Sequence, residues 1–229
     1  DRVYTLEIEA NGATYERAVS TGDDAANTTF ELPTPTTDRD ALTLSGGQPV
    51  NHLLNIGPTQ NGTGLFVVET VSVKNGADRP FAGDVSVAVP SDAEVVTGMV
   101  GDERTSVSQT NGTATVETMI GPQETTTVNV YYRLEDRAFE KPVGYDVEQL
   151  AIQFTDYDLT QVEVSDNLVE ADAPIPMVTS TGPLEADDQI SVSITESNQS
   201  VASDQTNGSP GASEFPLGLV SAGFVAVIA

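Results

Sequence analysis

Carboxylates that stand close together are the residues of this chain whose type and spacing could do chemistry. Asp156 and Asp158 flank Tyr157, and other acidic groups lie at positions 23–24, 38–40 and 187–188. Ca²⁺ binds about six to eight oxygen ligands, most often from carboxylates and carbonyls. None of the groups has the spacing of an EF-hand loop, so we interpret most of them as solvated surface charge. Asp156 and Asp158 are the preferred Ca²⁺ ligands, and no other cofactor is expected.

Two single residues could also carry chemistry. His52 is the only histidine, and because the chain has no Cys, it has no obvious second ligand for zinc. We interpret it as a packed or hydrogen-bonded structural residue. Glu69 falls in register with the inward-facing apolar residues of a long predicted strand. It is either a buried acid with a perturbed pKa or a residue at a strand end that reaches water, and we favour the second interpretation.

Composition excludes several functions. Without Cys, the chain has no disulfide, thiol nucleophile or haem attachment. Its 35 acidic and 9 basic residues give a net charge of −26, which repels nucleic acid and anionic lipid. Because no nucleophile motif occurs either, we expect that the protein is not an enzyme. A glycoside hydrolase with two carboxylates on facing strands is the enzymatic alternative.

The acidic residues are spread along the chain, and only Lys74 and Lys141 are lysines. Distributed acid with scarce lysine resembles the proteins of haloarchaea. The resemblance implies a carboxylate surface that holds water and cations, in salt concentrated enough to screen the repulsion between charges.

Asn-x-Ser/Thr sequons are more frequent than the roughly two expected by chance, and they indicate glycosylation outside the cell. Two of them also lie at Asn-Gly turns, where turn geometry alone explains the asparagine. The five sequon residues are Asn27, Asn61, Asn111, Asn198 and Asn207.

The elements that position these residues are predicted to be β-strands, because no segment has a sustained helical period. Residues 1–46 are predicted to form a partial module: two strands joined by Asn11-Gly12, a third strand over residues 28–32, then the proline-rich stretch 33–37. This order resembles transthyretin-like or carboxypeptidase-regulatory modules, which implies a small β-sandwich unit.

Alternating apolar residues predict an antiparallel, immunoglobulin-like β-sandwich over residues 47–136. Residues 137–196 are either a smaller β domain or the closing strands of that sandwich. The fold class is therefore all-β, with antiparallel immunoglobulin-like sandwich modules in tandem. The inward positions of the main sandwich include Val67, Val71, Val85, Val87, Val116, Val128 and Val130.

The composition changes sharply after the last predicted strand. Residues 197–214 are rich in Ser, Asn, Gln and Gly, which predicts a flexible linker. Residues 215–229 are uncharged and apolar, and we interpret them as the start of a transmembrane helix that the sequence does not complete. With the linker, this segment resembles the C-terminal anchors of haloarchaeal surface proteins.

These features together predict a non-enzymatic protein outside the cell, attached to the membrane by a single C-terminal helix. Envelope structure, adhesion and partner binding are the expected roles, with other surface proteins or glycans as partners and no nucleic acid. The alternative is the ectodomain of a larger sensor or transporter-associated protein.

Overall fold

The computed structural model describes residues 2–20, 29–45 and 50–195, which are built of strands, turns and two short 3-10 helices, without an α-helix. The all-β class is confirmed for this part of the chain. No helix in these ranges is long and apolar enough to cross a membrane. The predicted linker 197–214, the apolar segment 215–229, and the sequons at Asn27, Asn198 and Asn207 lie outside the described residues.

The 3-10 helices of the described part are Arg39–Ala41 and Leu159–Gln161. Its strands, in chain order, are β1 Val3–Ala10, β2 Ala13–Ser20, β3 Leu42–Leu44, β4 His52–Pro58, β5 Leu65–Asn75, β6 Phe81–Ala88, β7 Glu94–Val100, β8 Glu103–Thr105, β9 Val107–Thr110, β10 Thr113–Ile120, β11 Thr125–Leu134, β12 Ala138–Pro142, β13 Leu150–Phe154, β14 Val162–Val164, β15 Leu168–Glu170, β16 Met177–Ser180 and β17 Gln189–Ile194.

The largest sheet has the order β15-β16-β13-β4-β5-β11-β7-β8, and β3 also pairs with β5. Two three-stranded sheets, β6-β10-β9 and β12-β17-β14, accompany it, and β1 pairs with β2 alone. The pairing of β4 with β13 is parallel, whereas the other strand pairs of the described residues are antiparallel. The large sheet is therefore mixed, and the prediction of purely antiparallel pairing is corrected here.

One hydrophobic core joins the large sheet to the two three-stranded sheets, and its residues lie between Leu54 and Ile194, most of them on strands. Alternate side chains of a strand point to opposite faces, so the period-two valines of the sequence should face inward. All seven valines predicted to be inward are buried, with at most 1% of each exposed. Since β13 lies beside β4, residues 150–154 extend the same sheet as residues 52–58.

The two predicted Asn-Gly hairpin turns are present. Asn11 and Gly12 have φ angles of 51° and 71° between β1 and β2. Asn111 and Gly112 have φ angles of 49° and 73° between β9 and β10. Positive φ at both central residues is the requirement of a type I′ turn, which matches the twist of the flanking strands.

Candidate functional site

Four polar side chains meet inside the core, and we call them the Glu69 cluster: Glu69, His52, Tyr132 and Lys141. Glu69 and Tyr132 are fully buried, and only 1% of Lys141 and 2% of His52 are exposed. A buried charge is costly unless it is paired and hydrogen-bonded. This concentration of ionisable groups is therefore the strongest candidate site in the described residues.

Three adjacent strands of the large sheet supply three members of the cluster. On β5, Glu69 lies opposite Leu54 of β4 and Val130 of β11. His52 and Tyr132 are two residues from these partners on their own strands. Because a two-residue step returns to the same face, both side chains lie diagonally beside Glu69 on the core side.

Lys141 enters the cluster from a different sheet. It lies on β12, where Phe139 and Lys141 are buried while Ala138 and Glu140 are exposed. This alternation turns the lysine side chain inward, and its Nζ donates a hydrogen bond to Oε1 of Glu69. The ion pair thus joins the small sheet β12-β17-β14 to the centre of the large sheet.

The two carboxylate oxygens of Glu69 have different partners. Oε1 faces Nζ of Lys141 and lies 2.7 Å from Nε2 of His52, whereas Oε2 accepts a hydrogen bond of 2.9 Å from Oη of Tyr132. Nδ1 of His52 has no hydrogen-bond partner among the described residues. A proton on that atom would be an unsatisfied buried donor, whereas a proton on Nε2 can be donated to Glu69, so we place the ring proton on Nε2.

The electrostatics of the cluster are dominated by burial and by the ion pair. Burial acts to raise the pKa of Glu69, but Lys141 and His52 outweigh it and lower that pKa to about 2. Burial lowers the pKa of Lys141, although Glu69 opposes the shift. Burial, and then the charge of Glu69, raise the pKa of Tyr132 well above its ordinary value of 10.0.

The prediction that Glu69 reaches water at a strand end is wrong. Glu69 lies in the interior of β5, six positions before Asn75, with hydrogen-bonded strands on both sides. Its charge is retained in the core because Lys141 approaches from the facing sheet. The prediction that His52 is a hydrogen-bonded structural residue agrees with its contact to Glu69.

Neither Lys141 nor Tyr132 is predicted from the sequence to be a functional residue, and Lys141 is the harder of the two to place. The segment Ala138–Pro142 is short and ends at a proline, so no strand was predicted there. Two signals were present: the two-residue spacing that places Phe139 and Lys141 on one face of a strand, and the scarcity of lysine in a chain with only two.

The predicted calcium ligands lie outside the cluster. Asp158 is exposed and begins the 3-10 helix Leu159–Gln161, where its Oδ1 accepts 2.9 Å hydrogen bonds from the backbone N and the Oγ1 of Thr160. These hydrogen bonds lower the pKa of Asp158. Asp156 has a φ of 64° in the preceding turn. Within the described ranges no three His, Cys, Asp or Glu residues form a group that could hold a metal ion, and calcium binding here remains a prediction.

Two of the predicted glycosylation sites fall on described, exposed turns. Asn111 begins the Asn-Gly turn of the β9–β10 hairpin. Asn61 lies between β4 and β5, and its Oδ1 accepts hydrogen bonds from Oγ1 of Thr59 at 2.7 Å and the backbone N of Thr63 at 3.3 Å. Glycosylation at these asparagines remains a prediction.

Neither a protein-family model nor a curated protein matches this chain. Among solved structures, an M1 zinc metallopeptidase from Deinococcus radiodurans matches with a TM-score of 0.41 and 11% identity, over 70% of this chain and 44% of that one. Leukotriene A4 hydrolase from Saccharomyces cerevisiae matches with a TM-score of 0.43 and 10% identity, over 73% and 31% of the two chains. This chain therefore spans less than half the length of these solved structures.

These matches contradict the prediction that the protein is not an enzyme, because the solved structures that it resembles are enzymes, and that prediction is withdrawn. At TM-scores below 0.5, the likeness assigns no reaction to this chain. No group of His, Cys, Asp and Glu suited to a metal occurs within residues 2–20, 29–45 and 50–195.

Proposed function

We propose that this chain is a β-sandwich protein of the cell surface of a halophile, with a role in envelope structure, adhesion or partner binding. The observation that carries the proposal is the distribution of carboxylates. Among the acidic residues in the described ranges, Glu69 alone is buried, and the others remain at the surface of a protein whose net charge is −26. Such a surface suits a medium of concentrated salt, where screening limits repulsion between the charges.

The architecture supports a structural or binding role at this surface. Strands dominate the described residues, and the Glu69–Lys141 pair ties two of the sheets together. The apolar segment 215–229 is the proposed membrane attachment, with residues 1–214 outside the cell. Partners of this chain are then other surface proteins or glycans.

Cell fractionation of a halophilic host that expresses the complete gene tests the proposal. We expect the protein in the membrane fraction, with residues 1–214 open to protease on intact cells. A matched variant in which residues 215–229 are replaced by polar residues should move to the medium or the soluble fraction. Protein that resides in the cytoplasm, protected from external protease, contradicts the proposal.

A further inference from the structure

The pair formed by Lys141 and Glu69 has a feature that ordinary surface ion pairs lack. Both side chains are fully shielded from water, and they stand on strands of two different sheets, 72 positions apart in the sequence. An amine and a carboxyl group in direct contact are the two reactants of amide formation. Whether these two groups react depends on the polarity of the core and on the side chains around them.

In water, an amine and a carboxyl group do not condense at neutral pH, because the ammonium ion has no free electron pair and the carboxylate resists attack. Solvent also drives any amide back to the acid. In an apolar core, water is excluded, and burial lowers the pKa of the Lys141 ammonium, so proton transfer to Glu69 gives a neutral, reactive pair as a minor state beside the ion pair. The same exclusion slows hydrolysis of the amide once the product water has left the core.

The other members of the cluster distinguish the two oxygens of Glu69. Nε2 of His52 lies 2.7 Å from Oε1, the oxygen that Lys141 also contacts, and can pass a proton to it. Oη of Tyr132 lies 2.9 Å from Oε2, where it stabilises negative charge on an oxyanion. In a condensation with Lys141, Oε1 is therefore the oxygen that leaves as water, and Oε2 is the oxygen that remains in the amide.

We propose that Lys141 and Glu69 join in an intramolecular isopeptide bond that covalently links β12 to β5. Nζ of Lys141 attacks Cδ of Glu69, and the N–C bond forms as negative charge develops on Oε2 beside Tyr132. His52 transfers a proton from the nitrogen to Oε1, the Cδ–Oε1 bond breaks, and Oε1 leaves as water. The ammonium and carboxylate groups together lose two hydrogens and one oxygen, so no external reagent takes part.

The rigid positions of Glu69 and Lys141 support formation of the amide bond. Glu69 is held on a strand that has hydrogen-bonded neighbours on both sides, and β12 is paired with β17 from Ala138 to Pro142. Reactants held in contact on rigid elements react far faster than the same groups in solution. The folded protein is therefore both the substrate and the catalyst of this reaction.

Mass spectrometry of the full chain, folded in concentrated KCl, tests the proposal directly. We expect an intact mass lower than that of the sequence by one water molecule. Trypsin digestion after denaturation locates the change. Cleavage produces fragments 40–74 and 138–229, because the proline after Lys141 protects that bond, and the proposal requires these two fragments to be joined.

Two variants serve as a matched pair. Lys141→Arg keeps the positive charge but has no amine that can form this amide, so we expect the full mass and separate fragments. Lys74→Arg alters the other lysine and should keep both the water loss and the joined fragments.

His52→Phe should slow the appearance of the joined fragment during incubation in the folded state.

The digest of the unaltered protein decides the proposal even if a variant fails to fold. Full mass with separate fragments after prolonged incubation overturns it. Loss of water with separate fragments also overturns it, because the dehydration then lies elsewhere in the chain.

Discussion

The charge on Glu69 depends on a lysine that reaches it from another sheet. Its carboxylate has no exposure, and its hydrogen bonds come from His52, Tyr132 and Lys141, of which Lys141 supplies the positive charge. Removing one partner of a buried pair costs more than the pair contributes, because the other charge stays behind in a medium of low polarity.

Replacing Lys141 by Met should therefore destabilise the fold strongly. Relative to the protein before the isopeptide bond has formed, we expect the free energy of unfolding to fall by about 3–5 kcal/mol, since Glu69 loses the cation that compensates it. Chemical denaturation at neutral pH measures the change. Lys74→Met, at a partly exposed position of β5, is the control and should shift stability by less than about 0.5 kcal/mol. Equal losses of stability in the two variants would show that the pairing of Lys141 with Glu69 contributes nothing to the free energy of unfolding.

The phenol of Tyr132 makes stability depend on alkaline pH. Its pKa is raised above 10.0 in the folded protein, so its contribution is complete below pH 10.0 and is lost as the pH rises from there toward the folded-state value. Before the isopeptide bond forms, Tyr132→Phe loses a hydrogen bond to a charged group, so it should then be less stable near neutral pH by about 1.5–3 kcal/mol.

Above pH 10.0, stability of the Phe variant should decline less steeply than that of the unaltered protein. Denaturation curves at several pH values on either side of this point measure the two slopes. The pKa values of Tyr131, Tyr145 and Tyr157 are raised as well, so a smaller decline persists in the variant. Parallel slopes in the two proteins contradict the assignment to Tyr132.

Single residues also show where inference from sequence stops. Alternation along β5 places Glu69 on the inward face, and that part of the reasoning holds. Whether a carboxylate can remain there depends on what faces it, and Lys141 is 72 positions away. No local pattern connects the two residues, so the sequence alone predicts that Glu69 reaches water. In the folded protein it does not.

At the scale of elements, the start of β5 depends on a close backbone approach. A Cβ placed on Gly64 would lie 2.0 Å from the carbonyl oxygen of Leu134 and 2.8 Å from that of Glu135. These atoms belong to the backbone at the end of β11, which pairs with β5. They cannot move aside as the tip of a flexible side chain could.

Gly64→Ala should therefore destabilise the protein by about 3 kcal/mol or more, because the β5–β11 ladder must shift to admit the methyl group. Thermal or chemical unfolding measures the loss. Gly182→Ala is the matched control, since nothing lies within 4 Å of its Cβ position, and it should change stability by no more than about 1 kcal/mol. Comparable stability of the two variants would contradict the close approach.

Strand pairing is predictable from this sequence only where it is local. The Asn-Gly turns at Asn11 and Asn111 fix their hairpins, because two residues determine the geometry. The parallel pairing of β4 with β13 joins residues about a hundred positions apart, such as His52 and Leu150. Apolar alternation identifies both strands as buried but does not state which strand lies beside which.

At the scale of the whole molecule, the net charge predicts that the stability of the fold depends on salt. A net charge of −26 acts against compaction, and no disulfide opposes it. Composition alone indicates this repulsion, because it depends on the number of carboxylates and on their exposure rather than on their exact positions. The all-β fold class can likewise be predicted from the overall sequence pattern, whereas the arrangement of the sheets cannot.

We expect the melting temperature to rise steeply between about 0.1 M and about 3 M KCl, because the Debye length falls from about 10 Å to a few ångströms over that range. Circular dichroism during heating measures the transition at each concentration. A neutral osmolyte such as sucrose, at matched water activity, controls for general solvent effects and should give a smaller rise. A melting temperature that is constant across the KCl series contradicts adaptation of this surface to salt.

The position of β17 determines how the described domain responds to a pulling force. This strand is the last one of the described residues; it lies between β12 and β14 and is further held by the hydrogen bond from the N of Thr195 to the carbonyl O of Gln161. Tension along β17 shears both ladders at once, so their hydrogen bonds share the load instead of opening one by one. From β12 the load passes through Lys141 to Glu69 and into β5, which spreads it over the large sheet. We therefore expect the Glu69 cluster to carry mechanical load between the two sheets.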